Sequence, residues 1–204
     1  MERAVIQWCA AHPPSPTLPV KIFPFIDALP EPSARVARTT KWDFVYVGDG
    51  EAHKNHRGLL AAWRLLAQQG IRPSLALTLS PHDKPLIRAV KSAHDQSGVH
   101  ICNLGEIPRD KITELYASAR ALIFPSTSES FGLPLVEAAH FGLPILASEL
   151  DFVRDVCTPT HTFDPASPVS IARAVRRFLG CPELPVALHT AAEFWNEILD
   201  ECHS

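Results

Sequence analysis

From residue 41 onward the chain alternates short apolar runs with longer stretches whose apolar residues return every three or four positions. Phe44-Val45-Tyr46-Val47 is the first run, closed by Gly48. Ser74-Leu75-Ala76-Leu77-Thr78-Leu79 is the second and residues 99–104 the third. Ala121-Leu122-Ile123-Phe124, closed by Pro125, is the fourth, and a fifth opens at Pro144-Ile145-Leu146-Ala147. Runs that are apolar throughout, rather than at every second position, suit strands covered on both faces, as in a parallel sheet. Between them Leu59, Leu60, Trp63 and Leu66 fall at helical spacing, with Arg57, Arg64 and Gln68 opposite. Residues 84–95, 109–119, 134–141 and 168–179 read as further helices. Residues 187–201, with Ala191, Phe194, Trp195, Ile198 and Leu199, read as a closing amphipathic helix. Strand–helix alternation implies right-handed βαβ units and an α/β fold: a single Rossmann-like, doubly wound parallel sheet. Ligands of such sheets sit at the carboxyl ends of the strands, near the switch point.

Residues 1–40 break this rhythm, with no glycine and seven prolines. Proline at that density blocks helix interiors and central strands. The segment reads as a linker or the remnant of a preceding domain, with one short strand at 20–26. Polyproline II at Pro13–Pro19 that binds an SH3-type module is a weaker reading. Residues 41–204 then form one domain. The whole chain has 204 residues, 46% apolar and 20% charged, which suits a globular protein with a real core. Its net charge of -3 excludes the basic footprint of a generic nucleic-acid binder. No apolar run approaches the roughly 18 residues that span a bilayer, and 1–11 lacks the pattern of a signal peptide. The five cysteines (Cys9, Cys102, Cys157, Cys181 and Cys202) show no C-x-x-C spacing. Free thiols in a cytoplasmic protein are the reading, with neither a zinc site nor a disulfide framework.

The candidate chemistry follows the fourth and first strands. After Pro125 comes Ser126-Thr127-Ser128-Glu129-Ser130-Phe131-Gly132-Leu133-Pro134-Leu135-Val136-Glu137. Pro134 marks a helix start, Gly132 lets the backbone approach a ligand, and the free N–H groups there form an anion site. Carboxylates do not bind phosphate. Glu129 in the loop and Glu137 one turn into the helix therefore suit sugar or ribose hydroxyls, although each alone is explained by solvation or the helix dipole. Phe-Gly-Leu-Pro recurs at 141–144 without flanking acids, so the tetrapeptide by itself is not the signal. After the first strand, Gly48-Asp49-Gly50-Glu51-Ala52-His53-Lys54-Asn55-His56 opens another helix. Lys54 opposes the dipole there, which makes sense beside a diphosphate and equally as a solvated lysine. Gly48-x-Gly50 begins a dinucleotide fingerprint, but His53 replaces the third glycine and no acid closes the second strand, which excludes a nicotinamide site. His53 and His56 read as surface histidines, with no third metal ligand nearby. The loop at Gly105 after the third strand is placed to cradle a base through its backbone.

Taken together, S-E-S-F-G-L-P-L-V-E-A, V-Y-V-G, H-K-N-H, L-G-E-I-P-x-x-x-I-x-x-L-Y-x-x-A, G-L-P-I-L-A-S and F-D-P-A-S-P resemble the C-terminal half of a family-4 retaining glycosyltransferase of the GT-B fold. The resemblance covers about residues 42–180. It implies a hexosyltransferase-type enzyme that binds a nucleoside-diphosphate sugar and transfers the sugar with retention, without a metal or other cofactor. It further implies that Glu137 holds the ribose hydroxyls, that Glu129 with the backbone of Phe131, Gly132 and Leu133 meets the sugar and phosphates, and that Lys54 neutralises the leaving diphosphate, with Gly48 and Gly105 lining the donor site. Asp49 stands where many members carry arginine. The acceptor, a glycan or lipid, would be bound by a domain outside this chain, by a separate acceptor-domain chain or within a homo-oligomer. The expected location is cytoplasmic, with peripheral membrane attachment as a variant. The alternative is a non-catalytic nucleotide-sugar-binding subunit or an inactive fragment.

Overall fold

The computed structural model describes residues 40–181 and 190–201, together with 7, 8 and 10–12. Most of the proline-rich segment, with its expected strand at 20–26, and residues 187–189 of the closing helix lie outside the described residues. Six parallel strands form one sheet: β1 (Trp42–Tyr46), β2 (Leu75–Leu77), β3 (Ile101–Asn103), β4 (Ala119–Phe124), β5 (Ile145–Ser148) and β6 (His161–Phe163). Their order across the sheet is β3-β2-β1-β4-β5-β6. Among the described residues the helices that accompany them are α1 (His56–Gln68), α2 (Lys84–Ser97), α3 (Ile112–Ala117), α4 (Leu133–His140), α5 (Asp151–Arg154), α6 (Pro168–Phe178) and α7 (Ala191–Glu201).

This order is that of a doubly wound sheet. Strands β1 to β3 step one way and β4 to β6 the other, so right-handed crossovers place their helices on opposite faces. The reversal between β1 and β4 is the switch point. Val45 lies there between Ala76 of β2 and Leu122 of β4. Phe44, Val45 and Tyr46 of β1 and Ala121, Leu122, Ile123 and Phe124 of β4 are fully buried. Both faces of these strands are thus covered, which is why their sequences carry no alternation.

The expected apolar stripe of α1 packs inward: Leu59, Leu60, Trp63 and Leu66 are buried. Trp63 meets Phe44 edge-on, with centroids 5.6 Å apart, and its indole N–H donates to Pro73 O at 3.0 Å. A buried indole needs such a partner. Helix α6 packs beside α1 and buries Ile171, Ala172, Ala174 and Val175. At the amino edge of the sheet, Asp43 accepts from Ser74 N–H and Oγ–H and from Arg120, each at 2.9 Å. That knot joins β1, β2 and β4 at the edge away from the candidate site. Burial pushes the Asp43 carboxyl up, but these donors outweigh it and hold its pKa below the usual value.

Three elements depart from expectation. β6 and the one-turn α5 are additional to the predicted elements. The expected helix at 109–119 is split into a 3₁₀ turn (Arg109–Lys111) and the shorter α3. Among the described residues no helix is long and apolar enough to cross a membrane. Phe194, Trp195 and Leu199 of α7 are exposed.

Candidate functional site

All six strands are parallel, so the loops after β1, β3 and β4 open on one edge. The loops after β1 and β4 flank the switch point and are tied to each other. Lys54 closes a 3₁₀ turn (Ala52–Lys54) just before α1. Its ammonium donates to both oxygens of Glu129, at 2.8 and 3.0 Å. The lysine side chain is 15% exposed and that of Glu129 8%. Neither is a solvated surface residue; each is the other's partner, and together they bridge the two loops.

A buried polar chain fixes this bridge from below. Tyr46 Oη–H donates to Lys54 O at 2.8 Å, so the Ser126 hydroxyl is the donor in their 3.1 Å contact. Ser148 Oγ–H donates to Ser126 O at 2.8 Å. Tyr46, Ser126 and Ser148 are fully buried. Burial raises the Tyr46 pKa far above its ordinary value, so the phenol stays a donor. Thr127 adds a backbone bond to His53 O at 2.8 Å. Asn55 links further: its Nδ2 donates to Pro125 O at 3.1 Å and Pro165 O at 2.8 Å. Asn55 adopts the left-handed conformation (φ 56°), which asparagine tolerates better than most residues. A side chain on Gly58 would strike Asn55 Oδ1, 2.5 Å from the added Cβ.

His56 corrects the sequence reading. His53 is partly exposed and lies 3.3 Å from Glu51, but His56 is buried, at 3% exposure. Its ring lies 4.8 Å from that of Tyr46, and its Nε2 lies 2.7 Å from Asp49 O. A carbonyl only accepts, so Nε2 carries the proton and Nδ1 is bare. Nδ1 is buried without a partner among the described residues. Burial lowers the pKa of this histidine. His56 is thus a neutral brace for the Gly48–Gly50 loop. Asp49 turns its own carboxylate onto Glu51 N at 3.2 Å.

Gly132 takes φ 76° and ends the β4 loop; α4 begins at Leu133, so Pro134 is its second residue rather than its first. Pro134 lacks an N–H, and Leu135 N–H donates to Gly132 O at 2.9 Å. The N–H groups of Phe131, Gly132 and Leu133 therefore remain at this helix start, with no partner among the described residues. A short bare helix end with Leu133 37% exposed is open to an anion. Glu137 follows one turn in and accepts from Tyr116 Oη at 3.0 Å.

The two remaining expected residues sit on the same edge with bonds of their own. Gly48 N–H donates to Thr78 Oγ1 at 3.0 Å. Gly105, at φ 78°, has open space where a side chain would be, and its N–H donates to Asn103 Oδ1 at 3.3 Å. Asn103 also exchanges two bonds with the backbone of Leu79, which sets the mouth of β3 against β2. The structure therefore joins Lys54 to Glu129 and keeps 131–133 contiguous with Glu137. The supports Tyr46, Asn55, Tyr116, Ser126 and Ser148 lie outside the site residues that the sequence indicates. For the two tyrosines a signal existed, since a phenol within a buried run requires a polar partner. Among the described residues no cluster of three or more His, Cys, Asp or Glu is arranged to hold a metal ion. Cys102, Cys157 and Cys181 are free.

The sheet order is that of the Rossmann-like half of a GT-B protein. Solved structures agree on the fold. Sucrose-phosphate synthase from Thermosynechococcus elongatus matches with TM-score 0.58 and 24% identity, covering 69% of this chain and 37% of that one. Anabaena Alr3699/HepE, solved in complex with UDP and glucose, matches with TM-score 0.56 and 19% identity over 70% of this chain and 39% of that one. The family described as "Glycosyl transferases group 1" matches residues 30–195, and the chain belongs to it. Its curated relatives include O-antigen chain mannosyltransferase B of Escherichia coli, 34% identical over 55% of this chain and 30% of that protein. They also include the E. coli serotype-specific mannosyltransferase WbdA, 32% identical over 69% of this chain and 17% of that protein. The chain thus spans less than a third of the length of these relatives.

Proposed function

We propose that the chain is the donor-binding part of a retaining glycosyltransferase and that it takes a nucleoside-diphosphate sugar. The observation that carries this is the Lys54–Glu129 bridge across the switch point, beside the bare amino end of α4. Cation, carboxylate and helix N-terminus are the three groups that a diphosphate joined to a sugar requires. In this reading the N–H groups of Phe131, Gly132 and Leu133 and the Lys54 ammonium stabilise charge on the departing diphosphate, as preorganised donors aimed at developing charge. Glu129 accepts from sugar hydroxyls and Glu137 from the ribose hydroxyls. Gly48 and Gly105 border the site. The reaction needs no metal in this scheme, because lysine and helix dipole supply the positive potential. The names of the E. coli relatives support mannose as the sugar. The acceptor, a glycan or lipid, is met by protein outside this chain, whether a further domain, another chain or a second copy. A cytoplasmic place at the membrane surface suits such an acceptor, and nucleic acid is not a partner.

Calorimetric titration with GDP, UDP and ADP, then with their sugar conjugates, tests the reading. One nucleotide binds, and Glu137→Ala weakens it roughly 10- to 100-fold, the worth of about one charge-assisted hydrogen bond, while thermal stability falls only by the loss of the Tyr116 acceptor, about 1–3 kcal/mol. Unchanged affinity in that variant sinks the assignment.

A further inference from the structure

Tyr116 stands out among the groups that the proposed chemistry leaves unused. It is the penultimate residue of α3, 1% exposed, and its single phenolic proton points at Oε2 of Glu137, 3.0 Å away. Its ring also lies 6.1 Å from that of Phe141, whose N–H caps the same turn of α4 by donating to Glu137 O at 3.0 Å. A glutamate on a helix surface ordinarily samples several rotamers. Here one oxygen is pinned by a donor that is itself fixed by packing. Burial, then the charge of Glu137, raise the phenol pKa well above its ordinary value, so the donor keeps its proton. The other oxygen, Oε1, has no partner among the described residues and is the one left to accept from a ligand.

We propose that Tyr116 is a positioning residue for the donor nucleotide: by holding Oε2 of Glu137 it presents Oε1 to the ribose hydroxyls, and so sets the preference for ribose over deoxyribose. This rests on the reading of Glu137 as the ribose partner. A hydroxyl pair on the ribose gains most from a carboxylate already turned toward it, because no rotamer freedom is then lost on binding. Phenylalanine at this position keeps the ring and its contact with Phe141 and removes only the proton that orients Glu137.

The test is calorimetric titration of the 204-residue chain, Y116F, E137Q and the double variant with GDP, UDP and ADP and their 2′,3′-dideoxy forms. For the nucleotide that binds, Y116F is expected to lose about 5- to 10-fold affinity for the ribose form and less than twofold for the dideoxy form. The double variant is expected to bind no more weakly than E137Q, since the phenol acts only through that carboxylate. Equal losses for both sugar forms in Y116F, or no loss for either, overturn the inference while E137Q still discriminates. If E137Q itself leaves ribose binding unchanged, or if the unsubstituted chain binds none of the three nucleotides, the ribose reading falls and the role of Tyr116 falls with it.

Discussion

Glu129→Gln, Lys54→Met and the double variant form a cycle that probes the bridge across the switch point. Removing one partner of a fully buried ion pair costs about 3–5 kcal/mol, because it strands a charge. Here the ammonium retains 15% exposure and the carboxylate 8%, so water softens the loss without abolishing it. Each single substitution is expected to cost about 2 kcal/mol, well above the 0–1 kcal/mol of an exposed pair. The double variant is expected to lose about 2–3 kcal/mol rather than about 4, a coupling of roughly 1–2 kcal/mol. Urea unfolding followed by circular dichroism reads these values. In nucleotide binding, Glu129 and Lys54 act with opposite signs. Both oxygens of Glu129 hold the lysine in the unliganded chain, so a diphosphate must compete for it. Glu129→Gln frees the cation and removes a negative charge, and is expected to tighten a free nucleoside diphosphate roughly fivefold, about 1 kcal/mol. The same variant gains less for the nucleotide sugar, where Glu129 loses its hydroxyl contacts, and Lys54→Met weakens both ligands. Additive stability losses, or weaker diphosphate binding in Glu129→Gln, would refute the reasoning.

Three further outcomes follow from the site's supports. Burial holds the His56 pKa below its ordinary 6.5, so the unfolded chain takes up that proton first. The stability of the neutral imidazole is complete above pH 6.5 and is lost as pH falls toward the folded value, by up to about 1.4 kcal/mol per unit. Urea midpoints at stepwise lower pH should show this slope, and H56Q should flatten it. Gly132→Ala places a side chain at φ 76° with its Cβ 3.1 Å from Leu135 Cδ1. It is expected to cost about 1–2 kcal/mol in thermal unfolding and to weaken nucleotide binding. Tyr46→Phe leaves Lys54 O and the Ser126 hydroxyl without their shared partner and should cost about 1–3 kcal/mol, with a matching fall in nucleotide affinity.

The layout of the fold was legible because the central strands are apolar on both faces, a pattern that a surface strand does not carry. Phe44-Val45-Tyr46 and Ala121-Leu122-Ile123-Phe124 are the clearest cases, and they prove to be the two strands at the switch point. β6 was not legible, since His161-Thr162-Phe163 is short, lies at the sheet edge and buries only Phe163. Lys54 and Glu129 each stand out in the sequence, but their contact does not. They are 75 positions apart, and only the pairing of β1 with β4 brings their loops together. His56 has the sequence signature of a surface histidine because spacing alone does not tell which of two histidines faces the core. Its burial depends on Tyr46, a strand residue whose ring it meets. Supports such as Ser126 and Ser148 are single polar residues whose partners lie elsewhere along the chain. No local pattern marks them.

A crystal structure of the chain with its nucleotide sugar is the most direct test of the donor site. The account predicts the diphosphate against the N–H groups of Phe131, Gly132 and Leu133, with Lys54 Nζ turned from Glu129 to within about 3 Å of a phosphate oxygen and both ribose hydroxyls on Glu137. A diphosphate seated elsewhere on the molecule, with Lys54 still paired to Glu129 and Glu137 free of the ribose, would contradict it.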